Sequence, residues 1–205
     1  MKVLQIALQR YMRDTDEPVM LSEASDLSSF GFFQRATCQQ LLNAFSKIVV
    51  KRIQPGQRIT VEVDGLTEYQ VHIYVRADGL AGCFTADKEY PARVAFAKLS
   101  ELLDQFASDP QLRGWESESR TDAFAGWPPL GIALEECQDP MKFDKILKIQ
   151  KDLDSTQQVL HQTIDNILER GEKLDDLVAR SDELSATSKQ FYKQARKTNS
   201  CCTIS

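Results

Sequence analysis

Ile146, Ile149, Leu153, Thr156, Leu160, Thr163, Ile167, Arg170, Leu174, Leu177, Ser181, Leu184, Ser188, Phe191, Ala195 and Thr198 follow one another at alternating steps of three and four residues. They form an unbroken a/d seam of heptads. A period of 3.5 sustained this long predicts a helix that buries one narrow stripe against other helices in a left-handed supercoil, not against a globular core. At 1.5 Å per residue the helix over 146–198 is roughly 80 Å long and needs partners. One layer departs from an aliphatic zipper. Arg170 stands between Ile167 and Leu174, and an unpaired buried guanidinium costs several kcal/mol. Its five fixed donors therefore require acceptors on the partner helices, unless the residue only sets register or turns to solvent at the helix edge.

Beyond the seam the chain reads Asn199-Ser200-Cys201-Cys202-Thr203-Ile204-Ser205. Cys202-Thr203-Ile204-Ser205 fits the C-a-a-X prenylation pattern, its Ser favouring farnesyl on Cys202, and Cys201 is the candidate for a palmitoyl group. Lys193, Arg196 and Lys197 form a basic turn just before it. One lipid chain holds a protein on a membrane only marginally, whereas two hold it stably. The pair thus predicts a cycle between cytosol and membrane. No apolar stretch approaches the roughly 18–20 residues that span a bilayer.

The 205 residues suffice for one globular domain and an extended segment. A net charge of -5 argues against a nucleic-acid partner. The five cysteines have neither metal spacing nor a disulfide framework, and residues 2–6 read as a strand, not a signal peptide. A reducing cytosolic setting follows. An enzyme would have to draw on Cys38, Cys83, His72 and His161, yet no nucleophile elbow, phosphate loop or metal cluster accompanies them. No cofactor is expected beyond covalent lipids, and the missing phosphate loop also excludes a small GTPase.

Upstream, runs at 3–8 and 18–24 predict a hairpin of strands. Cys38, Leu41, Leu42, Phe45, Ile48 and Val49 recur at three and four residues and predict a helix with one buried face, ended by Pro55-Gly56. Alternation around Ile59, Val61 and Val63, and around Tyr69, Val71, Ile73 and Val75, predicts two half-buried strands. Asp78-Gly79 turns the chain into a third over 80–86. Pro91 then pre-sets the first turn of a helix lined by Ala95, Leu99, Leu102, Leu103 and Phe106. The order β-β-α-β-β-β-α implies an α+β domain, an antiparallel sheet covered by helices. The stretch 109–140, interrupted by prolines and glycines, reads as a linker whose Trp115, Phe124 and Trp127 anchor it to the domain or help hold the seam helix or the lipid against it.

The run Ile167-Leu168-Glu169-Arg170-Gly171-Glu172-Lys173-Leu174-Asp175-Asp176-Leu177, with the small residues Ser181, Ser188 and Ala195 and the bulky Phe191, resembles the centre of an R-SNARE motif. The segments Ser28-Ser29-Phe30, Phe32-Phe33-Gln34-Arg35 and Asp87-Lys88-Glu89-Tyr90-Pro91-Ala92-Arg93, placed before the two helices, are similar to those of the longin domain. Together with the two terminal cysteines the chain resembles the prenylated, longin-type branch of the synaptobrevin family. That resemblance implies a profilin-like longin domain over 1–108 with a five-stranded sheet, a linker over 109–140, an R-SNARE coiled coil over 141–200 and a lipidation tail over 201–205. It also implies a v-SNARE whose helix joins three Q-SNARE helices (Qa, Qb, Qc), with Arg170 as the zero layer meeting three glutamines. The bundle drives vesicle fusion in ER–Golgi, Golgi and endosomal or vacuolar transport and is taken apart by the SNARE disassembly machinery. In cytosol an autoinhibited form is implied, with the first helix and the sheet edge of the domain covering the seam and the lipid. Ala44 departs from that pattern, standing where a larger apolar residue would grip a partner. Prenylation implies removal of Thr203 to Ser205 and methylation of the new terminus. The competing reading is a prenylated coiled-coil tether or regulator without fusion activity.

Overall fold

A computed structural model of the chain describes residues 2–11, 17–62, 68–139 and 159–200. β1 (Val3–Arg10) pairs antiparallel with β2 (Val19–Ser25) on one side and with β5 (Leu80–Asp87) on the other. β4 (Tyr69–Val75) joins β5, and β3 (Arg58–Glu62) joins β4, both antiparallel. These are the five expected strands. A sixth, β6 (Val159–Thr163), lies parallel to β3 and completes the order β2-β1-β5-β4-β3-β6.

Helices cover both faces. α1 (Phe32–Val50) packs its Leu41, Phe45 and Val49 on Val61, Val71, Ile73 and Cys83, while α2 (Ala92–Ser108) packs Leu99, Leu103 and Phe106 on Ile6, Leu80 and Phe84. Pro91 caps α2 instead of opening its first turn. Because each face carries a helix, the expectation of half-buried strands is corrected. The alternate polar residues Thr60, Gln70 and His72 are buried too, tied by a 2.9 Å contact between Thr60 Oγ1 and His72 Nδ1. α2 comes so close to β5 that a Cβ on Gly82 would stand 2.8 Å from Leu99 Cδ2.

The linker expectation over 109–140 is also corrected for the described part. Two 3-10 turns, Pro110–Leu112 and Trp115–Ser117, lead to α3 (Pro128–Cys137), a ten-residue helix against β1, β2 and α2. Trp115 and Trp127 are buried in the α2-side core, Trp127 edge-on to Phe106 at 5.1 Å with its indole donating to Asp109 Oδ2 at 3.0 Å. A helix starting at consecutive prolines uses their fixed φ and needs no N–H from them. The prolines that break periodicity in the sequence therefore start an element here.

Candidate functional site: the seam segment on the domain

Residues 159–200 do not form the continuous helix the seam predicts. They run as β6, a single turn α4 (Ile164–Ile167), α5 (Leu174–Arg180) and α6 (Ala186–Ser200), laid across the α1 face of the domain. The physical reason is that a lone helix with one apolar stripe leaves that stripe in water. Breaking the helix costs intrahelical hydrogen bonds, but it lets the segment satisfy the β3 edge and bury its apolar residues on α1. β6 supplies the first of these, in register from Arg58 opposite Val159 to Glu62 opposite Thr163.

One of the breaks lies at Gly171, whose φ of 92° is a conformation L side chains rarely adopt. Around it the Glu169 carbonyl accepts from the Glu172 N–H at 2.9 Å and the Glu172 carboxylate accepts from the Glu169 N–H at 3.0 Å. That carboxylate also takes both a 2.7 Å and a 3.2 Å bond from the Arg52 guanidinium at the end of α1. The Arg52 bond is the main cause holding the Glu172 carboxyl below its ordinary range. Lys47 pairs with Glu183 at 2.5 Å further along α1, and Arg196 with Asp175 joins α6 to α5. Both ion pairs are partly exposed, so each is worth on the order of 1 kcal/mol or less.

At the start of α6, Ser188 donates its N–H to Ser185 Oγ at 3.2 Å and its hydroxyl to Gln40 Oε1 at 2.7 Å, which also accepts from the Ser185 N–H. Tyr192 then meets Phe45 edge-on at 5.7 Å. Burial pushes the Tyr192 phenol above its usual range, and the nearby Asp175 carboxylate adds to the effect. Between the C-terminal half of α1 and residues 167–183 lies a cavity of about 900 Å³, where Ala44, Ile48, Ile53, Ile167 and Leu177 are outnumbered by charged side chains such as Lys47, Lys51, Arg52, Glu169, Arg180 and Asp182. Ala44, the departure noted in the sequence, lines this space. Its neighbour Phe45 supplies the grip.

Of the expected layer residues, Leu174 and Leu184 are buried, while Leu160, Ile167, Leu177, Phe191 and Ala195 are half-buried. Arg170 is exposed in the turn at Gly171, so in this conformation the arginine layer is not assembled. Ile146, Ile149, Leu153, Cys201 and Cys202 lie outside the described residues. The seam missed Ile164, Val178 and Tyr192, which are buried along with Leu174 and Leu184. A signal was there: they are apolar and recur every 14 residues, each one position after a d residue.

Of the enzyme candidates, His161 stands exposed on β6 opposite Thr60, and the other three are buried in the domain. His72 is buried under Phe84 and Phe96, and burial lowers its imidazole to about 4, helped by His161. Burial raises the thiols of Cys38, Cys83 and Cys137, the last to about 11, which disfavours a reactive thiolate. Among the described residues no His, Cys, Asp and Glu cluster has the arrangement of a metal site, and no helix is long and apolar enough to cross a membrane.

A sheet with a helix-covered face and a heptad segment folded against it defines a longin domain with its SNARE motif, and comparison with known proteins agrees. Residues 27–125 match the family model described as Regulated-SNARE-like domain, and residues 145–203 match the model described as Synaptobrevin. The chain is 46% identical over 204 residues, 100% of both chains, to the synaptobrevin homolog ykt6 of Schizosaccharomyces pombe. It is 44% identical over 204 residues, again 100% of both, to the VAMP-like protein YKT61 of Arabidopsis thaliana. Against the synaptobrevin homolog YKT6 of Saccharomyces cerevisiae the identity is 42% over 189 residues, 92% of this chain and 93% of the relative. The chain belongs to the longin-type R-SNAREs of the Ykt6 kind, which act in vesicle fusion with other SNARE helices and are not enzymes.

Proposed function

We propose that the described conformation is the autoinhibited state of this R-SNARE and that its release lets residues 141–200 zip as one helix with three glutamine-bearing partner helices, Qa, Qb and Qc. The observation that carries the reading is the burial of Leu174, Leu184 and Ser188 on the domain. All three are seam positions that a four-helix bundle needs, so the two states exclude each other. In the bundle Arg170 leaves solvent and meets the three glutamines, whose carbonyls satisfy its donors. The disassembly machinery then recycles the helices.

Membrane attachment in this reading comes from farnesyl on Cys202 and palmitoyl on Cys201, without any other cofactor. The single prenyl form dissociates, and the doubly lipidated form stays on Golgi, ER-derived, endosomal and vacuolar membranes. In this reading the first helix and the sheet edge of the domain also cover the prenyl chain in the soluble state.

The test mixes the full-length chain with three Q-SNARE motifs and follows helix content and complex stability, alongside intact mass and membrane partitioning of wild type, Cys201→Ser and Cys202→Ser from native cells. A stable helical complex is expected, with Cys202→Ser losing the prenyl mass and Cys201→Ser retaining the prenyl but losing stable attachment. If no set of Q-SNARE motifs forms a helical complex with the chain, the fusion reading fails and a tether takes its place. If the native chain carries no lipid, the attachment reading fails.

A further inference from the structure

The domain and a bundle use the same segment and share the seam residues Leu174, Leu184 and Ser188, but the domain also buries positions that the layers of a bundle leave out. With Ile146 at a, the heptads place Leu160, Ile167, Leu174, Ser181, Ser188 and Ala195 at a, and Thr163, Arg170, Leu177, Leu184, Phe191 and Thr198 at d. Ile164, Val178 and Tyr192 all fall at e. They are 0%, 1% and 3% exposed on the domain, while the d residue before each is exposed or only half-buried. Glu172 falls at f, the position facing away from partner helices in a coiled coil. Here it accepts from Arg52 and closes the Gly171 turn. The docked surface is thus wider than the seam: beside Leu174, Leu184 and Ser188 it takes in e and f residues that the bundle's a and d layers leave at the flank or outside.

We propose that Ile164, Val178, Tyr192 and Glu172 are the specificity determinants of the closed state, so that its strength can be changed at these positions independently of the stability of the fusion bundle. This deepens the autoinhibition reading above and rests on it. Substitutions at these positions change how often the segment is free, not how well it zips, whereas substitutions at a or d change both.

The test uses the full-length chain and two readouts, the rate of assembly with three Q-SNARE motifs and the thermal midpoint of the assembled bundle. Val178→Glu and Glu172→Arg are expected to speed assembly about tenfold or more, because the rate follows the fraction of free segment. The bundle midpoint should move by no more than about 3 °C, since e and f positions lie outside its layers. Arg52→Glu should act like Glu172→Arg, and the charge-swapped double variant should return to within about threefold of wild type. Both residues are half-buried and belong to none of the hydrophobic clusters of the domain. Leu177→Ala is the control that lowers the bundle midpoint.

The proposal is overturned if wild type is slow and Val178→Glu and Glu172→Arg leave it slow, or if they lower the bundle midpoint as much as Leu177→Ala does. Amide exchange of the free wild-type chain separates the two levels. If residues 159–200 are unprotected and wild type assembles as fast as the variants, the autoinhibition reading falls together with this inference.

Discussion

Gly171 carries the conflict between the two states in a single residue. In the docked segment it takes a φ of 92°, while the bundle requires it inside a helix, where glycine is about 1 kcal/mol worse than alanine. An alanine held at positive φ costs roughly 1–2 kcal/mol. Gly171→Ala therefore shifts the balance from closed to helical by about 2–3 kcal/mol, on the order of thirtyfold or more. Amide exchange over 159–180 in the free chain measures it: protection should fall sharply, and unchanged protection would show that the turn tolerates a side chain. The glycine is plain in the sequence, where it reads as a weak point of a long helix. That its backbone is needed for a turn is visible only once the chain is folded back.

At the scale of elements, the helices and strands of the domain are legible because their periods show in the residue types, from Tyr69, Val71, Ile73 and Val75 alternating along β4 to Leu99, Leu102, Leu103 and Phe106 along α2. α3 is not legible. Pro128, Pro129, Gly126 and Gly131 surround a short apolar run, and only its docking shows that Leu130, Ala133, Leu134 and Cys137 share one buried face. Trp127 is the test of whether 109–139 belongs to the core. Removing an indole stacked edge-on to Phe106 and bonded to Asp109 should cost about 3–5 kcal/mol in urea denaturation of Trp127→Ala. A loss below about 1 kcal/mol, the range of ordinary surface changes, would return the stretch to a loosely attached linker. β6 is the other element the sequence hid. Its residues Val159, Leu160 and His161 serve equally well in a heptad helix or in a strand, and the unpaired edge of β3 decides between them.

For the whole molecule, stability is linked to pH through the buried centre of the sheet. His72 is held neutral by burial, its pKa near 4 against an ordinary value of about 6.5. The unfolded chain therefore takes up its proton first as pH falls, so this contribution is complete above pH 6.5 and declines between there and pH 4. It amounts to about 2 kcal/mol lost from pH 7 to pH 5. Urea midpoints of wild type against His72→Gln check it: the difference between the two should narrow over that interval, and a constant difference would place the linkage on other groups. The sequence by itself determined the α+β order of the domain, the seam with Arg170 in its centre and the pattern at Cys201 and Cys202, because each is a local regularity of spacing or residue type. Only the tertiary structure decided that the segment 159–200 gives up its continuous helix, that β6 adds to β3 about a hundred positions away in the chain, and that Ile164, Val178 and Tyr192, not the seam alone, hold it there. Those outcomes follow from which surfaces are left uncovered after the domain has folded, and spacing along the chain does not encode that.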